Sequence, residues 1–489
     1  MSMVLVRETG RIKEIEKSVA KVAGLSSCMN GQLLDITVNT RAIVMGFAQE
    51  EVLVLLLGKV DDVKVGSTVY SRMEEFRIPV GEGFLGRVVN ALAEPSDGKG
   101  FILSGGEYYP LFRDAPGVLE RAPLAEAFET GILIIDATIP IGRGQRELII
   151  GDRMIGKSSI CVDAIINQKS KDVICIYCCI GRSQASLEKI IETLKDNDAM
   201  KYTIVVSATS SCPVGEQYLA PYTACTLGEY FMHNGKDVFV VFDDLTKHAW
   251  AYRQISLLLE RSPGRDAYPG DIFYLHSQLM ERAGKLNPEL KNGSMTFFPI
   301  VDTLQGDITG YIPSNLVSMT DGQIYLNAGL FSSGFKPAID LGLSVSRIGN
   351  KVQCAAMKEL SSMLRQEYIQ YLDLLKVTRF KAGVSEEVSQ RLKHGEVITH
   401  LFIQEKAKPC SLEEELILLY ALRRDVLEVF SKPQIEYFKN NVLQFAKDNY
   451  PAMMEDLLSE KKLTPGITKE LDGCLIAFFK NEEVYSPAS

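Results

Sequence analysis

The clearest chemical signal in this sequence is one octapeptide, Gly151-Asp152-Arg153-Met154-Ile155-Gly156-Lys157-Ser158. It fits G-x-x-x-x-G-K-[ST], in which backbone N–H groups surround phosphates, the lysine reaches the terminal phosphates and the hydroxyl coordinates Mg²⁺. The mostly apolar residues 147–150 are typical of a buried strand, and residues 159–166 are typical of a helix whose positive N-terminus faces an anion. The order strand, loop, helix therefore predicts a phosphate-binding site.

A magnesium site needs a carboxylate at the end of a second strand, and the apolar run 238–242 ends in Asp243-Asp244. We predict that Asp243 and Ser158 bind the metal. An acidic pair after a strand also commonly caps a helix or lies in a solvated turn. Its position downstream of the phosphate loop, in a chain of alternating strands and helices, favours the metal.

Hydrolysis of a bound nucleotide also requires a group that positions the attacking water, usually a carboxylate or a glutamine. The predicted strand 173–180 leads through Gly181 into Arg182, where a catalytic site would be expected to carry glutamate. A guanidinium has no acceptor and cannot take a proton from water. We expect Arg182 either to lie near the terminal phosphate and retain Mg-ATP, which we slightly favour, or to pair with an acid such as Asp243.

Three stretches of the chain differ in pattern. Residues 1–70 alternate β-rich runs with glycine turns, which predicts a small barrel, and residues 71–352 alternate strands with longer helical periods, which predicts a mostly parallel sheet. Residues 353–489 show helical periodicity, as in 412–422. The predicted fold is therefore multidomain, with an N-terminal β-barrel, a central α/β P-loop (RecA-like) nucleotide-binding domain and a C-terminal α-helical bundle.

Over nearly its whole length the chain resembles the alpha subunits of F-type ATP synthases, the non-catalytic nucleotide-binding partners of the beta subunits. Besides the phosphate loop, the segments that carry this resemblance are 140–148, 201–209, 217–222, 251–254, 263–271 and 343–347. The resemblance implies a head in which alpha and beta subunits alternate around a rotating gamma shaft. It further implies that Arg347 enters the neighbouring beta site as an arginine finger, with Ser344 in the same functional loop.

On the nucleotide, the resemblance implies that ATP or ADP binds with Mg²⁺ and that the base meets a second group of residues. These residues are Phe331, Lys336, Pro337, Gln404 and Lys406.

Several of these positions depart from the usual alpha-subunit pattern. Met154-Ile155 stand where Gln-Thr is usual, Arg182 where Gln is usual, Lys336 where Arg is usual, and Gln404-Glu405-Lys406 where two glutamines flank a glycine. Because the phosphate and metal residues are kept, we expect Mg-nucleotide binding with a weaker or shifted base preference.

Composition excludes several other classes. The chain has 53 basic and 62 acidic residues among 489, a net charge of −9, so it offers no broad cationic groove for nucleic acid and disfavours an RNA-translocating helicase. No apolar run approaches the ~18 to 20 residues that cross a bilayer. Residues 1–10 lack a secretory signal or transit peptide. We expect contact with an energy-coupling membrane only through partners, on the cytoplasmic side in a bacterium or inside an organelle.

The ten cysteines are scattered through apolar segments and are expected to be reduced, with Cys175 and Cys178 serving core packing. The five histidines do not cluster as metal ligands or catalytic groups.

Two alternative functions stay open. An autonomous export or secretion ATPase would need the glutamate that Arg182 replaces, and a non-hydrolytic subunit like B of V-type ATPases would be expected to lack Lys157. The chain also begins close to the barrel, without the helical segment that usually docks the delta stator subunit, so attachment of delta is in doubt.

Overall fold

The fold is that of a computed structural model that describes residues 8–58, 60–378 and 386–481. Most of residues 1–10, in which no secretory signal was found, lies outside this part. The chain divides into two compact units. The first contains the chain up to Pro123, Gly144–Ile149 and Lys169–Thr320, and the second contains Leu124–Arg143, Ile150–Gln168 and the chain from Asp321 onward.

A closed barrel of six antiparallel strands forms the N-terminal part of the first unit. The strands pair in the order β1-β2-β5-β4-β3-β6, and β1 closes the barrel against β6. Apolar side chains such as Ile12, Val22 and Val54 fill the interior. The strands are β1 (Glu8–Glu16), β2 (Val19–Ala23), β3 (Gln32–Asp35), β4 (Thr40–Ala48), β5 (Glu51–Gly58) and β6 (Thr68–Glu75).

Alternating strands and helices follow the barrel, as the sequence predicts. In chain order they are β7 (Arg77–Val80), β8 (Val88–Val89), β9 (Glu107–Pro110), α1 (Leu133–Thr138), β10 (Glu147–Gly151), α2 (Lys157–Ile166), β11 (Val173–Ile180), α3 (Gln184–Asp196), β12 (Thr203–Ala208), α4 (Val214–His233), β13 (Asp237–Asp243), α5 (Leu245–Leu258), α6 (Ile272–Met280), β14 (Gly284–Lys285), β15 (Ser294–Asp302), α7 (Tyr311–Met319), β16 (Gly322–Leu326), α8 (Ala328–Ser332) and β17 (Val345–Ser346).

A parallel sheet organises the first unit. Its strands lie in the order β15-β13-β11-β12-β8, and all four neighbouring pairs are parallel. β11 and β13 are buried along nearly their whole length, which explains their continuous apolar runs. Cys175 and Cys178 are free, buried thiols within β11. In the register of β11 and β13, Cys179 lies opposite Asp243, so the carboxyl ends of the two strands meet.

The described residues after 353 contain helices and no strands. The helices are α9 (Ala355–Ser361), α10 (Leu364–Thr378), α11 (Glu386–Phe402), α12 (Leu412–Arg423), α13 (Lys432–Asn449), α14 (Pro451–Glu460) and α15 (Pro465–Asn481). Within the described chain, no helix combines the length and apolarity needed to span a bilayer. The predicted fold class, barrel followed by an α/β domain and a helical domain, is confirmed; the boundaries predicted at 70 and 352 stay predictions.

A buried ion pair ties α4 to the turn after α6 in the first unit. Arg282, 1% exposed, donates from Nε and Nη2 to the two carboxylate oxygens of Glu229 at 2.6 and 2.9 Å. It also donates to the carbonyl of Leu111 at 3.0 Å and to Oγ1 of Thr226 at 2.9 Å. A planar guanidinium can meet all of these acceptors at once, which a lysine cannot do.

We expect Arg282→Ala to lower the free energy of unfolding by about 3 to 5 kcal/mol, because the Glu229 carboxylate would stay buried without its partner. The measurement is urea denaturation followed by the fluorescence of Trp250, the single tryptophan, which lies on α5 in the same unit. Lys236→Ala, which removes an exposed ion pair with Asp172, serves as the control and should leave the midpoint unchanged. A loss below about 1 kcal/mol in Arg282→Ala would contradict this account.

Candidate nucleotide-binding site

The octapeptide forms the turn between β10 and α2. Gly156 has a φ of 100°, a left-handed conformation that a residue without a Cβ adopts at little cost. The ten-residue helix α2 begins at the next residue, Lys157. Because Gly156 has no side chain to cap α2, the positive end of the helix faces the loop instead of a capping oxygen. This is the arrangement in which helix N-termini hold phosphate groups.

The two unusual loop residues lie in opposite environments. Met154 has a φ of 65° and is 94% exposed, whereas Ile155 is 6% exposed. A Cβ on Gly151 would lie 2.7 Å from Cδ1 of Ile155 and equally close to the carbonyl oxygen of Leu326. Glycine at position 151 is therefore required by close packing under the loop, and Ile155 contributes to that packing.

The ammonium group of Lys157 lies under the loop. The residue is 6% exposed, and its Nζ donates to the carbonyl of Gly151 at 2.7 Å and to that of Asp152. Backbone carbonyl groups thus hold the Lys157 ammonium within the loop that the sequence predicts to bind phosphate. A buried lysine at the start of an uncapped helix fits an anionic ligand such as a nucleotide phosphate chain.

At the end of β13, Asp243 already has a cationic partner. Its side chain is 3% exposed, and Oδ2 accepts hydrogen bonds from Nη1 of Arg182 and from the hydroxyl of Tyr177. Burial, together with the Asp243 charge, raises the pKa of Tyr177 well above its usual value, so the phenol stays protonated and donates. Of the two roles expected for Arg182, the structure shows the pairing with Asp243, since Asp243 lies opposite Cys179 near the end of β11 and Arg182 follows that strand. The slightly favoured role near the terminal phosphate stays a prediction.

The second acid of the pair, Asp244, caps helix α5. Its Oδ1 accepts from the N–H of Lys247 at 2.8 Å, and its Oδ2 lies 3.3 Å from the ammonium group of the same lysine. Burial raises the pKa of Asp244 to about 6, against the opposing charge of Lys247. The capping alternative weighed for this acidic pair is therefore realised by Asp244.

The donor chemistry at the end of β13 does not fit direct magnesium binding. Mg²⁺ prefers several unprotonated oxygen ligands in octahedral geometry. One oxygen of Asp243 instead accepts from a guanidinium and a phenol at the same time. The predicted joint role of Ser158 and Asp243 as metal ligands thus stays a prediction that this pairing disfavours.

On the base side, Gln404 is committed to the backbone around it. Its side-chain oxygen accepts from the N–H of Leu133 at 2.8 Å, and its amide nitrogen donates to the carbonyl of Gly131 at 3.0 Å. Gln404 therefore fixes the segment after α11 against the start of α1, and the predicted contact of its amide with a nucleotide stays a prediction.

Lys336 and Phe331 contact each other as a cation–π pair, with Nζ 5.5 Å from the ring centroid. Pro337 follows Lys336 directly. The N–H of Gln404 donates to the carbonyl of Lys336 at 2.8 Å, so the segment around residue 336 and the one around 404 lie together in the second unit. The side chains of Lys336 and Lys406 are both exposed.

Asp163 on α2 is a site residue that sequence reasoning missed. Its Oδ1 accepts from the N–H of Ala407 at 2.8 Å, which joins the helix of the phosphate loop to the base-side segment. Burial raises the pKa of Asp163 to about 6, opposed by this hydrogen bond and by the charge of Lys406. The sequence offered one sign of this role: Asp163 is the only acid in the otherwise mostly apolar run 159–166. Tyr177 was missed as well, because its contact depends on strand register.

Ser344 and Arg347 belong to one segment, but Ser344 is buried and Arg347 is exposed. Ser344 is 0% exposed, and its hydroxyl donates to the carbonyl of Asp340 at 2.7 Å and accepts from the N–H of Tyr325 at 2.9 Å. This burial does not fit the predicted catalytic role of Ser344, which instead holds the segment in place. Arg347 is exposed, and its backbone N–H donates to the carbonyl of Asp321 at 2.8 Å.

The predicted site residues thus fall into two groups. Asp243 and Arg182 belong to the first unit, and the phosphate loop, the base-side residues and Arg347 belong to the second. In the first unit the structure brings Arg182 and Asp243 together, and in the second it joins the helix of the phosphate loop to the base-side segment.

A barrel, a P-loop α/β domain and a helical domain in this order define a class of nucleotide-binding subunits. Sequence profiles of the ATP synthase alpha/beta family match all three parts: the beta-barrel domain at 5–72, the nucleotide-binding domain at 131–346 and the C-terminal domain at 353–478.

Individual relatives narrow this class further. ATP synthase subunit alpha of Clostridium botulinum strain Eklund 17B is 43% identical over 473 residues, which cover 97% of this chain and 94% of the relative. The same subunit of strain Hall is 45% identical over 474 residues, with the same coverage. The chain belongs to the ATP synthase alpha/beta family and, within it, to the alpha subunits of F-type ATP synthases.

We expect Asp163→Asn to gain thermal stability relative to the wild type as the pH rises from about 5 to about 8. A raised pKa in the folded state stabilises the fold at low pH, and this contribution is lost as the pH rises through about 6. Asparagine keeps the acceptor for Ala407 without the buried charge. Thermal unfolding at the two pH values measures the difference, and Asp163→Ala, which removes the acceptor, should be less stable at both. An equal Asn-to-wild-type difference at both pH values would contradict the prediction.

Proposed function

We propose that this chain holds ATP or ADP at a non-catalytic site of a rotary ATP synthase head and does not hydrolyse it. The observation that carries the proposal is Arg182, which follows β11 and pairs with Asp243. Hydrolysis needs an acceptor for a proton of the attacking water, and a guanidinium has none. The group at this strand end therefore neutralises an acid and does not activate water.

The phosphate loop supports the binding half of the proposal. Lys157 and the N-terminus of α2 supply positive charge, and Gly156 adopts the left-handed conformation through which the loop enters α2. The residues bind and orient the phosphate chain. Nothing in this role requires a reaction at the site.

For the base, we propose that Lys336 and Lys406 weaken the preference for adenine. Guanine presents two acceptors, O6 and N7, on one edge, whereas adenine presents a donor, N6, beside N7. An ammonium group only donates, so it favours the edge with two acceptors. Gln404, which could have recognised adenine, is bound to the backbone of Gly131 and Leu133.

Arg347 is proposed to act in the reaction of a neighbouring beta subunit. Its segment is held from two sides: β17 pairs with β16, and Nη2 of Arg365 donates to the carbonyls of Leu341 and Ser344 at 2.7 and 2.6 Å. A side chain that must reach a partner site benefits from such a fixed base, because less freedom is lost on binding.

As an alpha subunit, the chain is proposed to alternate with beta subunits around a gamma shaft and to meet the membrane only through the complex. The family matches and the relatives at 43–45% identity support this assignment over an autonomous export ATPase or a V-type B-like subunit.

We expect the isolated full-length chain to bind labelled ATP and GTP with affinities within about tenfold of each other and without measurable hydrolysis. Equilibrium dialysis and phosphate release measure the two properties. Lys157→Ala should lose binding of both nucleotides, because it removes the buried cation of the loop. Tight, adenine-selective binding would contradict the base preference, and sustained phosphate release would contradict the non-catalytic role.

In a complex reconstituted with its beta and gamma partners, we expect Arg347→Ala to lower ATP turnover by about 10³-fold or more while the ring assembles normally. Arg347→Lys should recover little, since a lysine lacks the planar fork that contacts two oxygens. The control is Arg11→Ala, an exposed arginine on barrel strand β1. Full turnover of an assembled Arg347→Ala complex would exclude the finger role.

A further inference from the structure

In the second unit His394 lies among carboxylates, although the sequence shows no grouping of its histidines with metal-ligating residues. His394 belongs to α11, and its Nδ1 lies 2.8 Å from Oε1 of Glu428 and 3.6 Å from Oδ1 of Asp425. The three ligand atoms all lie within 4.8 Å of one another. Glu428 follows His394 by 34 residues, so the fold creates this grouping and no local motif records it.

The end of α12 positions two of the carboxylates. Asp425 follows the C-cap residue Arg424 and has a φ of 55°, a left-handed conformation that aspartate adopts more readily than most residues with a side chain. Its N–H donates to the carbonyl of Leu422 at 3.0 Å, and the N–H of Glu428 donates to the carbonyl of Asp425 at 3.4 Å. Backbone hydrogen bonds therefore hold both acids on the turn after α12, next to His394.

A third carboxylate lies at the other ring nitrogen of His394. Oε2 of Glu367, on α10, is 3.7 Å from Nε2, and Oε1 of Glu367 is 3.3 Å from Nη1 of Arg423. A carboxylate beside one ring nitrogen favours the proton there and leaves the lone pair of the other nitrogen for a metal, as in carboxylate–histidine–zinc triads. Glu367 thus has the place of a positioning residue for a metal bound at Nδ1.

The charges of this group also favour a divalent cation. Three carboxylates and one guanidinium leave two negative charges uncompensated when the imidazole is neutral. Protonation of His394 offsets one of these charges, whereas a divalent ion at Nδ1 offsets both. The side chains of His394 and Glu428 are 24% and 29% exposed, and that of Asp425 is 66% exposed. An ion can therefore enter from the side of Asp425.

We propose that His394, Asp425 and Glu428 bind a divalent transition-metal ion, of which zinc fits best, with water in the remaining positions. Imidazole nitrogen with carboxylate oxygen suits zinc, whereas Mg²⁺ and Ca²⁺ take oxygen ligands. In a tetrahedral zinc site, neighbouring ligand atoms lie about 3.4 Å apart, so Glu428 has to move away from Nδ1 by about 0.6 Å and Asp425 by less. The ion ties α11 to the turn after α12 and shares no residue with the proposed nucleotide site.

Isothermal titration calorimetry of the chelator-treated, full-length chain with ZnCl₂ measures this binding. Excess MgCl₂ is present throughout, so that sites which do not distinguish the two ions are already filled. We expect one zinc ion to bind with a Kd tighter than about 100 μM. His394→Gln and Glu428→Gln should each weaken binding at least about tenfold, because each removes a ligand. The matched control is His400→Gln, which replaces a histidine of the same helix outside the ligand set and should keep the wild-type affinity.

Two further measurements complete the test. Thermal unfolding without metal verifies that each variant is folded, and the ligand variants alter two different segments, so one can report if the other does not fold. Titration with CoCl₂ identifies the ligand type, because cobalt bound by cysteine thiolates gives an intense near-ultraviolet charge-transfer absorption that nitrogen and oxygen ligands do not give.

Four results would overturn the proposal. They are zinc binding weaker than about 100 μM in the wild type, thiolate absorption from the bound cobalt, the wild-type affinity in a folded ligand variant, and an equal loss of affinity in His400→Gln.

Discussion

Several ionic groups that this fold removes from water meet an opposite charge or a set of backbone dipoles, and residues predicted for the site are among them. Arg282 is satisfied by Glu229, Arg182 by Asp243, and Lys157 by loop carbonyls. An isolated buried charge would cost far more than the whole margin of folding stability. The groups that would contact a nucleotide are consequently positioned before any ligand arrives.

In the proposed function, this requirement also separates holding a nucleotide from splitting it. A loop lysine and a helix N-terminus attract phosphates by their positive charge alone. Cleavage additionally needs an acceptor for the proton of water, and position 182 carries a permanent cation instead. Arg182 thus places a positive charge at the end of β11, where it pairs with Asp243.

Local patterns were sufficient for much of the fold and for part of the site. The barrel strands, the strand–loop–helix at residues 147–166 and the terminal helices follow from periodicity and turn residues, which act over short distances. The pairing of Arg182 with Asp243 depends on strand register, and the commitment of Gln404 to Leu133 depends on segments 271 residues apart. The first pairing could be predicted only as one of two alternatives and the second not at all, because local patterns record neither strand register nor contacts between distant segments.

The two compact units are interleaved along the chain, each assembled from three separate stretches. The barrel, by contrast, is continuous and closes once β6 joins β1. During synthesis from the N-terminus the barrel is therefore complete early, whereas the second unit waits for segments that emerge after Asp321. A fragment cut at any single point within 124–320 would leave both units short of sequence, so neither unit is contained in one half of such a divided chain.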